Sequence, residues 1–388
     1  MKVKRHHREI IALKLIDNLG NRRICELLRC TDNPSDIFSG DIGMLCRIEG
    51  ISRANAEAIS LFDRWDTVDS ILAKTESSGA GLISIPDPEY PQHLARIYDP
   101  PPLLWVRGDP MLLSAPSVGV VGTRSMDRYG RSQAEQWSRK LIQAGFAVVS
   151  GLATGIDTVA HQTVVEEGGK TAAVLGCGID IHYPRRNGPL AEQIVDRGGL
   201  LVSEFLPGTK PFPARFPIRN RVVSGLCLGV LVIQSGVKGG SMITARSAID
   251  QNREVFVVPH NLGRSKGGGN NLLIQSGEGK LVCGIEDILE ELPVERCEEN
   301  ERGQSSRPEA ANRSGKPSVQ LNPLPKWKRV ELSDEQRDLC RQLSDGPVQI
   351  GRLVGHSSRS VSELLPILLE LEMMGVVRQL AGKYFELR

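Results

Sequence analysis

The chain has 388 residues, with 48 Lys and Arg against 46 Asp and Glu, a formal net charge of +2, 40% hydrophobic residues and 4% aromatic residues. At roughly 150 residues per domain, this length predicts two or three folding units. The balanced charge excludes a uniformly basic, histone-like class, so any affinity for a polyanion has to come from local clustering of positive charge. The composition is typical of a globular chain rather than a disordered one.

The sequence gives no sign of export or of a membrane anchor. No stretch reaches the roughly 18 apolar residues that a membrane-spanning helix needs. The amino terminus is basic, but no charge-free apolar run follows it, so a secretory signal is not expected. The eight cysteines show no CxxC pair or other metal-ligand spacing. We therefore expect a cytoplasmic protein with reduced thiols, no membrane association and no metal site.

Residues 1–75 have a helical pattern and predict an N-terminal helical domain. Apolar residues recur between positions 10 and 19, and a second series, LCRIEGISRANAEAI, is interrupted by Gly50. A glycine turn between short helices is typical of a helix-hairpin-helix, which can present backbone amides to a phosphate. A small helical bundle whose turn needs a glycine explains the same pattern, and both interpretations stay open here.

Residues 80–296 predict the main domain, because apolar runs alternate there with helical segments. The runs cover residues 117–122, 147–151, 171–176, 200–204, 229–235 and 254–259. Each is rich in Val, Leu, Ala or Ile on both faces, as expected of strands buried on both sides of a parallel sheet. The pattern predicts a doubly wound, mostly parallel α/β fold of the Rossmann-like type. Such sheets bind ligands beyond the carboxyl ends of their strands.

The remainder of the chain predicts a linker and a small terminal domain. Residues 297–325 are polar and contain prolines, which is typical of a linker. Residues 326–388 then give a helix, a short helix, a turn, a third helix and two short apolar segments around Gly382. That order is typical of a winged helix-turn-helix domain.

The loop after the first strand does not match a dinucleotide-binding motif. Gly119 and Gly122 have the spacing GxxG rather than GxGxxG, and the second strand ends in Ser150 and Gly151, with no acid to hold a ribose. No nicotinamide or other cofactor is therefore expected. Arg124 instead brings a fixed positive charge to a loop whose backbone amides point outward. An ordinary solvated loop arginine is the alternative interpretation.

Four further glycine-rich segments admit simpler explanations. The GGKT segment at 168–171 resembles a P-loop but has Val164 where the first glycine is needed, so we interpret it as a helix end and expect no ATP hydrolysis. The loops at 150–157 and 238–241 each lead into a helix whose N-terminus suits a phosphate, although packing alone can require such turns. Residues 267–271 are expected to form a flexible loop with no catalytic group.

A local excess of positive charge is the strongest signal from the residues themselves. Between Glu204 and Asp250 there is no Asp or Glu. The same segment contains six basic residues, namely Lys210, Arg215, Arg219, Arg221, Lys238 and Arg246. Phe212 and Phe216 interleave with these arginines, and the combination of rings that stack on bases with guanidinium groups that bind phosphate is used to bind single strands. A solvated basic face is the alternative.

Seven segments, in this order, resemble the bacterial DNA-processing protein A family, called DprA or Smf. They are GTR at 122–124, SGLATGID at 150–157, GCGIDIHYP at 176–184, SE at 203–204, FPIRNRVVSGL at 216–226, SGVKGGSMITA at 235–245 and VFVVP at 255–259. The resemblance covers residues 80–292, and the flanking regions fit a longer form of the family. It implies an extended Rossmann-like domain that binds single-stranded DNA without catalysis, forms a homodimer and helps to load a RecA-type recombinase during natural transformation.

The resemblance also implies a binding site at named positions. Arg124, Arg219, Asn220 and Arg221 line a phosphate pocket, and Phe216 stacks on a base. The full predicted site comprises Gly122, Thr123, Arg124, Ser150, Gly151, Gly155, Lys210, Arg215, Phe216, Arg219, Asn220, Arg221, Lys238, Gly240 and Ser241. No catalytic residue is expected.

The sequence departs from the family pattern at three places, and a second class of function stays open. The usual GSR is GTR here, which keeps the hydroxyl, whereas His260 and Asn270 replace the usual residues after the sixth strand and put the shape of that last loop in doubt. The alternative function is a Rossmann-like enzyme acting on a nucleotide, such as a phosphoribohydrolase. No convincing acid or base pair lies beside the glycine-rich loops apart from Glu204, and we expect Glu204 to organise the neighbouring arginines instead.

Overall fold

The computed structural model describes residues 4–31, 33–292, 332–344, 346, 348–349, 353, 361–380 and 384–387. The chain divides into two compact units, Met1–Cys297 and Glu298–Arg388. The predicted linker at 297–325 lies outside the described residues. Within the described part of the chain, no helix is long and apolar enough to cross a bilayer.

The first unit begins with six helices. They are α1 (Arg5–Lys14), α2 (Asn21–Arg29), α3 (Asp36–Ser39), α4 (Ile42–Leu45), α5 (Arg53–Ser60) and α6 (Trp65–Ser77). Gly50 lies between α4 and α5 with a φ of 79°, a conformation that favours glycine. Ser52 then begins α5, where its hydroxyl accepts a hydrogen bond from the Asn55 amide. The turn glycine is therefore required, as both interpretations of this segment predict.

A nine-stranded sheet follows the helices and forms the centre of the unit. Its strands are β1 (Gly81–Ser84), β2 (Leu103–Gly108), β3 (Ser117–Gly122), β4 (Ala147–Ser150), β5 (Thr171–Leu175), β6 (Leu200–Ser203), β7 (Gly229–Gln234), β8 (Glu254–Val257) and β9 (Lys280–Leu281). The spatial order is β1-β2-β6-β5-β4-β3-β7-β8-β9. Strands β3 to β9 are parallel, and β1 and β2 add an antiparallel edge beside β6. The predicted mostly parallel, doubly wound fold is confirmed.

Helices cover both faces of this sheet. They are α7 (Gln92–Ala95), α8 (Arg128–Gln143), α9 (Ile156–Glu166), α10 (Gly188–Asp196), α11 (Arg215–Leu226), α12 (Gly240–Asp250), α13 (Gly268–Gln275) and α14 (Glu286–Glu291). On one face, Val118 and Val120 of β3 pack with apolar residues of α8 and α9. On the other face, Val121 packs with residues of α11 and α12. Each central strand is thus buried on both sides, which explains its uninterrupted apolar sequence.

The N-terminal helices share a hydrophobic core with the sheet. Ile10 and Leu13 of α1 and Val68 of α6 are buried in one cluster with Leu82 of β1 and Trp105 of β2. The Trp105 indole also donates a hydrogen bond to Thr75 Oγ1 of α6, at 2.9 Å. Residues 1–75 and 80–296 therefore belong to one compact unit, and a boundary between them remains a sequence-based prediction.

The prediction of a flexible loop at 267–271 is wrong. A short 3-10 turn at Ser265–Gly267 leads directly into α13, which begins at Gly268. Asn270 is fully buried: its amide nitrogen donates to the Val232, Ile233 and Val258 carbonyls, and its oxygen accepts from the Ser235 amide. This one side chain satisfies backbone groups at the ends of β7 and β8, and the need to satisfy them orders the segment.

The described part of the second unit contains the first and third predicted helices and the two apolar segments, whereas the short second helix and the turn at Gly382 lie outside the described residues. The described elements are α15 (Asp334–Gln342), β10 (Val348–Gln349), α16 (Val361–Met373), β11 (Val377–Leu380) and β12 (Tyr384–Leu387). The three strands form an antiparallel sheet in the order β10-β12-β11. Leu339 of α15 and Leu343, which follows that helix, pack with Leu364 and Leu368 of α16 and with Phe385 of β12. The unit thus has its own small core.

Candidate nucleic-acid interface

A cavity of about 520 Å³ opens at the carboxyl ends of β3, β4 and β7. Strand β3 lies between β4 and β7, so the strand order reverses there, and ligands of doubly wound sheets bind at such a point. We call this space the switch-point cavity. Nine predicted site residues line it, namely Gly122, Thr123, Arg124, Gly151, Phe216, Arg219, Asn220, Gly240 and Ser241.

One arginine and two aromatic rings form a layered group in this cavity. The Arg124 guanidinium carbon lies 5.0 Å from the centre of the Phe216 ring, and the Tyr183 and Phe216 rings stack with centres 5.5 Å apart and planes inclined by 29°. Arg124 is exposed and has no carboxylate within 4.0 Å among the described residues. The group therefore offers both an uncompensated positive charge and aromatic surface.

Tyr183 was not predicted as a site residue. It is 40% exposed, whereas Phe216 is half-buried, so Tyr183 presents more free ring surface to a base. The tyrosine precedes Pro184 in the loop that follows β5, within the GCGIDIHYP segment. An exposed aromatic residue after a central strand was the available signal, but periodicity does not show which loop residues meet across the sheet edge.

Arg219 forms the floor of the cavity rather than a free charge. It is 4% exposed, and its Nη1 donates to the Gly151 carbonyl at 2.5 Å and to the Val174 carbonyl. A side chain at position 151 would place its Cβ 2.3 Å from that guanidinium, so any other residue would displace Arg219 from this position. Arg219 thus clamps the loop after β4 to β5, and its burial lowers its pKa.

Asp157 occupies backbone amides that the sequence predicts to face a phosphate. Its carboxylate accepts hydrogen bonds from the Gly151 amide at 3.2 Å and the Ala153 amide at 3.3 Å. Burial raises the pKa of this carboxyl, while the positive charge of Arg219 and the two amides oppose that shift. The Gly151 and Ala153 amides are thus already bonded within the chain, and binding of a phosphate at the start of α9 stays a prediction.

Gly155 explains how two of the loops come together. Its φ is 90°, and a Cβ there would lie 2.2 Å from the Thr123 carbonyl oxygen. The Ile156 amide, at the start of α9, donates to the same oxygen at 3.2 Å. The loop after β3 and the N-terminus of α9 therefore touch through backbone alone, which fixes Arg124 next to the loop after β4.

Arg221 is not among the residues that line the switch-point cavity. Its guanidinium pairs with Glu204, Nη2 to Oε2 at 2.5 Å, and with Asp99, Nε to Oδ2 at 3.2 Å. Glu204 also accepts a hydrogen bond from Asn21 Nδ2 of α2, at 3.2 Å. The phosphate-binding role that the resemblance implies for Arg221 is not supported by this position, because its charge is already neutralised.

The other predicted residues surround or support the cavity. Ser150 is buried, and its Oγ donates to the Val120 carbonyl at 2.6 Å, which ties β4 to β3. Arg215 donates from Nη1 to the Lys210 carbonyl at 2.5 Å. Lys210 is exposed, and so is Lys238, which adjoins the lining residues Gly239 and Gly240. These three basic residues are outside the cavity lining, so any contact with a ligand there depends on the ligand extending beyond the cavity.

His161 is a buried residue beneath the site. The Thr171 hydroxyl donates to the Val148 carbonyl, so the 2.7 Å contact between His161 Nδ1 and Thr171 Oγ1 requires the histidine to donate. Its Nε2 is buried without a hydrogen-bond partner among the described residues. Burial lowers the pKa of His161 to about 3. A nucleophilic or general-base role is therefore not favoured by its surroundings.

The sheet and its switch-point cavity define a Rossmann-like α/β protein, and the described elements of the second unit fit a winged helix. A family model described as DNA recombination-mediator protein A matches residues 81–293, and a second, described as DprA winged helix domain, matches residues 325–383. The chain belongs to the DprA family.

Two curated relatives and one solved structure agree with this assignment. The chain is 42% identical over 224 residues to the DNA processing protein DprA of Bacillus subtilis, covering 58% of this chain and 75% of the relative. It is 37% identical over 287 residues to DprA of Streptococcus pneumoniae, covering 73% and 97%. The X-ray structure of the S. pneumoniae protein superposes with a TM-score of 0.64 at 35% identity, covering 75% of this chain and 98% of that chain.

Proposed function

We propose that this protein binds single-stranded DNA in the switch-point cavity, without catalysis, and loads a RecA-type recombinase on that DNA during natural transformation. The observation that carries the proposal is the layered group of Arg124, Phe216 and Tyr183 at the carboxyl end of the sheet. A guanidinium binds a phosphate through a fork of donors, and aromatic rings stack on the faces of unpaired bases.

The geometry favours a single strand over a duplex. Base faces are accessible to a ring only when the bases are not stacked in a double helix. Tyr183 and Phe216 lie in a concave site next to Arg219 and Asn220, and the cavity volume of about 520 Å³ is in the range of pockets that enclose one small molecule, so it has room for a nucleotide of a strand. A flexible single strand can place one nucleotide after another in such a site.

The acids near the cavity support binding rather than catalysis. Asp157 holds two loop amides beside Arg219, and Glu204 is paired with Arg221. A general acid or base has to reach its substrate and exchange a proton with it. Hydrolysis of a nucleotide by the purified protein would contradict the proposal and support the nucleotide-acting enzyme instead.

Recombinase loading and dimerisation rest on membership of the family whose model is described as a recombination mediator. We propose a homodimer formed through the Rossmann-like domain, in the cytoplasm, with single-stranded DNA and the recombinase as partners. We expect such a mediator to increase recombinase assembly on strands that a single-strand-binding protein already covers. Light scattering measures the dimer, and recombinase ATPase activity on covered DNA measures loading.

The central experiment measures fluorescence anisotropy of labelled oligo-dT with the full-length protein and with Arg124→Ala. We expect saturable binding, competition by unlabelled single strands but not by equal amounts of duplex, and a marked loss in the variant. Because each phosphate contact releases counterions, affinity has to fall steeply with salt. Equal competition by duplex and single strands, or binding independent of salt, would overturn the proposal.

A further inference from the structure

We infer that a bound DNA strand continues past the switch-point cavity into a second nucleotide subsite, centred on Tyr129, on the other side of the loop after β3. This inference rests on the proposed single-strand binding. The second subsite is a pocket of about 320 Å³ lined by Asp127, Arg128, Tyr129, His260, Asn261 and Arg264. We call it the Tyr129 pocket. It shares no lining residue with the switch-point cavity.

The two sites open on the same side of the sheet, where the carboxyl ends of the parallel strands lie. Arg124 follows β3 and lines the first site, whereas Arg128 begins α8 four positions later and lines the second. A chain of four residues spans at most about 14 Å, so the two arginines are close enough for one short strand to meet both. His260 follows β8, and Gly240 of the first site follows β7, the neighbouring strand.

The loop between the sites is firmly held by β7. The Thr123 amide donates to the Gln234 carbonyl at 2.7 Å, and the Asp127 amide donates to Gln234 Oε1 at 3.1 Å. Gln234 is fully buried at the end of β7. Both ends of the loop are therefore fixed to one residue, so the loop forms a rigid ridge between the sites rather than a lid over either.

The aromatic surface of the Tyr129 pocket is fixed in place. Tyr129 is 45% exposed, its hydroxyl donates to the Pro259 carbonyl at 3.1 Å, and its ring meets the His260 ring edge-on with centres 4.9 Å apart. His260 in turn donates from Nε2 to the Ile233 carbonyl at 2.9 Å. A large ring that is half-exposed yet anchored at its polar end can stack on a base at little cost in side-chain entropy.

Positive charge accompanies that ring. Arg128 and Arg264 line the pocket and Lys266 lies two residues further on, and all three side chains are exposed. Within the described part of the chain, none of them has a carboxylate within 4.0 Å. Asp127 is the one acid in the lining, and its Oδ1 is engaged by the Gly130 amide at 2.9 Å as the N-cap of α8. Positive groups thus outnumber this acid, as a phosphate site requires.

This pocket repeats the chemistry of the first site with different residues. Each has at least one exposed guanidinium group in the same lining as an aromatic ring that contacts a second ring. Two such sites on either side of a rigid ridge bind one continuous strand more tightly than either alone, because the second contact becomes intramolecular. Strands too short to cross the ridge gain nothing from the second site.

The test compares oligo-dT of increasing length on the full-length wild type and on the double variant Arg128→Ala/Arg264→Ala. Both side chains are exposed, so the variant is expected to fold. Lys74→Ala/Arg197→Ala is the matched control: it removes the same charge from exposed positions, and Arg197 precedes β6 at the opposite edge of the sheet.

We expect the shortest strands that bind to do so equally in all three proteins. Longer strands are expected to bind the double variant about tenfold more weakly. The slope of log affinity against log salt concentration is expected to be shallower by about one to two, because one to two phosphate contacts are lost. Tyr129→Ala is expected to give the same length-dependent loss, and Tyr129→Phe, which keeps the ring, a much smaller one.

Each outcome decides between the two ideas. If the wild type binds no oligo-dT, the proposed function fails. If the wild type binds and Arg124→Ala loses affinity, but the double variant follows the wild type at every length, only the second subsite is wrong. Equal weakening at all lengths also overturns it. If the double variant binds DNA normally but no longer contacts the recombinase, the second subsite is wrong and the Tyr129 pocket instead binds an acidic surface of that protein.

Discussion

The Glu204 carboxylate and the Arg221 guanidinium form an ion pair of 2.5 Å between the end of β6 and helix α11. Their side chains are 4% and 13% exposed. Helix α11 also carries Phe216 and Arg219, so the pair holds the principal helix of the switch-point cavity against the rest of the unit. Asn21 of α2 completes the contact, which connects the N-terminal helices to that helix.

Glu204→Gln is expected to lower the free energy of unfolding by about 3 kcal/mol, because it removes the buried carboxylate and leaves the buried Arg221 charge paired with the partly exposed Asp99. Urea unfolding measures the change. Glu57→Gln is the control, since it removes an exposed partner of Arg53 on α5 and is expected to change nothing measurable. A stability equal to that of the wild type would show that Arg221 finds another partner and that the pair does not hold α11.

Arg124→Ala is expected to reduce the binding free energy for oligo-dT by about 1 to 3 kcal/mol through loss of a charge-assisted phosphate contact. Thermal unfolding is expected to stay unchanged, because the side chain is exposed and unpaired among the described residues. Anisotropy titrations at several salt concentrations check both the affinity and its slope. Arg197→Ala, at the opposite sheet edge, controls for the loss of one charge.

Arg219→Ala is expected to behave differently from Arg124→Ala. Its guanidinium satisfies the Gly151 and Val174 carbonyls and lies close to Asp157, so its removal leaves buried polar groups without partners. We expect a lower melting temperature together with weaker DNA binding. If Arg219→Ala melts like the wild type yet fails to bind DNA, the arginine is a direct phosphate ligand and the clamp is unimportant.

The sequence was sufficient to predict β3 to β8, because strands that are buried on both faces appear as continuous apolar runs without alternating polar residues. Strands β1, β2 and β9 were missed, because β1 and β2 do not follow the regular spacing of one strand plus one helix and β9 has only two residues. The site was predicted by residue type but not by role: Arg124 and Arg221 are both arginines near glycine-rich loops. Only the partners of Arg221, which are Glu204, Asp99 and the N-terminal helices, distinguish them, and such long-range pairs are invisible to local pattern.

Tyr183→Ala is expected to weaken oligo-dT binding by about 1 to 2 kcal/mol through the loss of one stacked base. Tyr183→Phe keeps the ring and is expected to bind within about twofold of the wild type, since the stacking surface is unchanged. Tyr98→Ala, at another exposed tyrosine that stacks with Arg22, is the control. Equal affinities for the Ala and Phe variants would remove the tyrosine ring from the binding site.

Deleting residues 310–388 is expected to leave oligo-dT binding within a few-fold of the full-length chain. Residues 326–388 contain ten Lys and Arg against nine Asp and Glu, a balance that is unusual for an autonomous DNA reader. The second unit has a core of its own, so removing it leaves the core of the first unit intact. Complete loss of single-strand binding would place the winged helix within the primary site.

His161 is expected to make the protein less stable as the pH falls. Its pKa is about 3 when buried, against an ordinary value of about 6.5 in an unfolded chain. Between these two values the unfolded chain binds a proton that the folded protein does not, so the free energy of unfolding decreases as the pH falls through this window and is restored above it. From pH 7.5 to pH 5.0 the wild type is expected to lose about 2 kcal/mol through this one group.

His161→Asn keeps a donor toward Thr171 without a titrating ring, so urea unfolding of the two proteins at both pH values isolates the effect. If the stability difference between wild type and variant is the same at pH 5.0 and pH 7.5, His161 accepts a proton in the folded state and its Nε2 is not sealed from water.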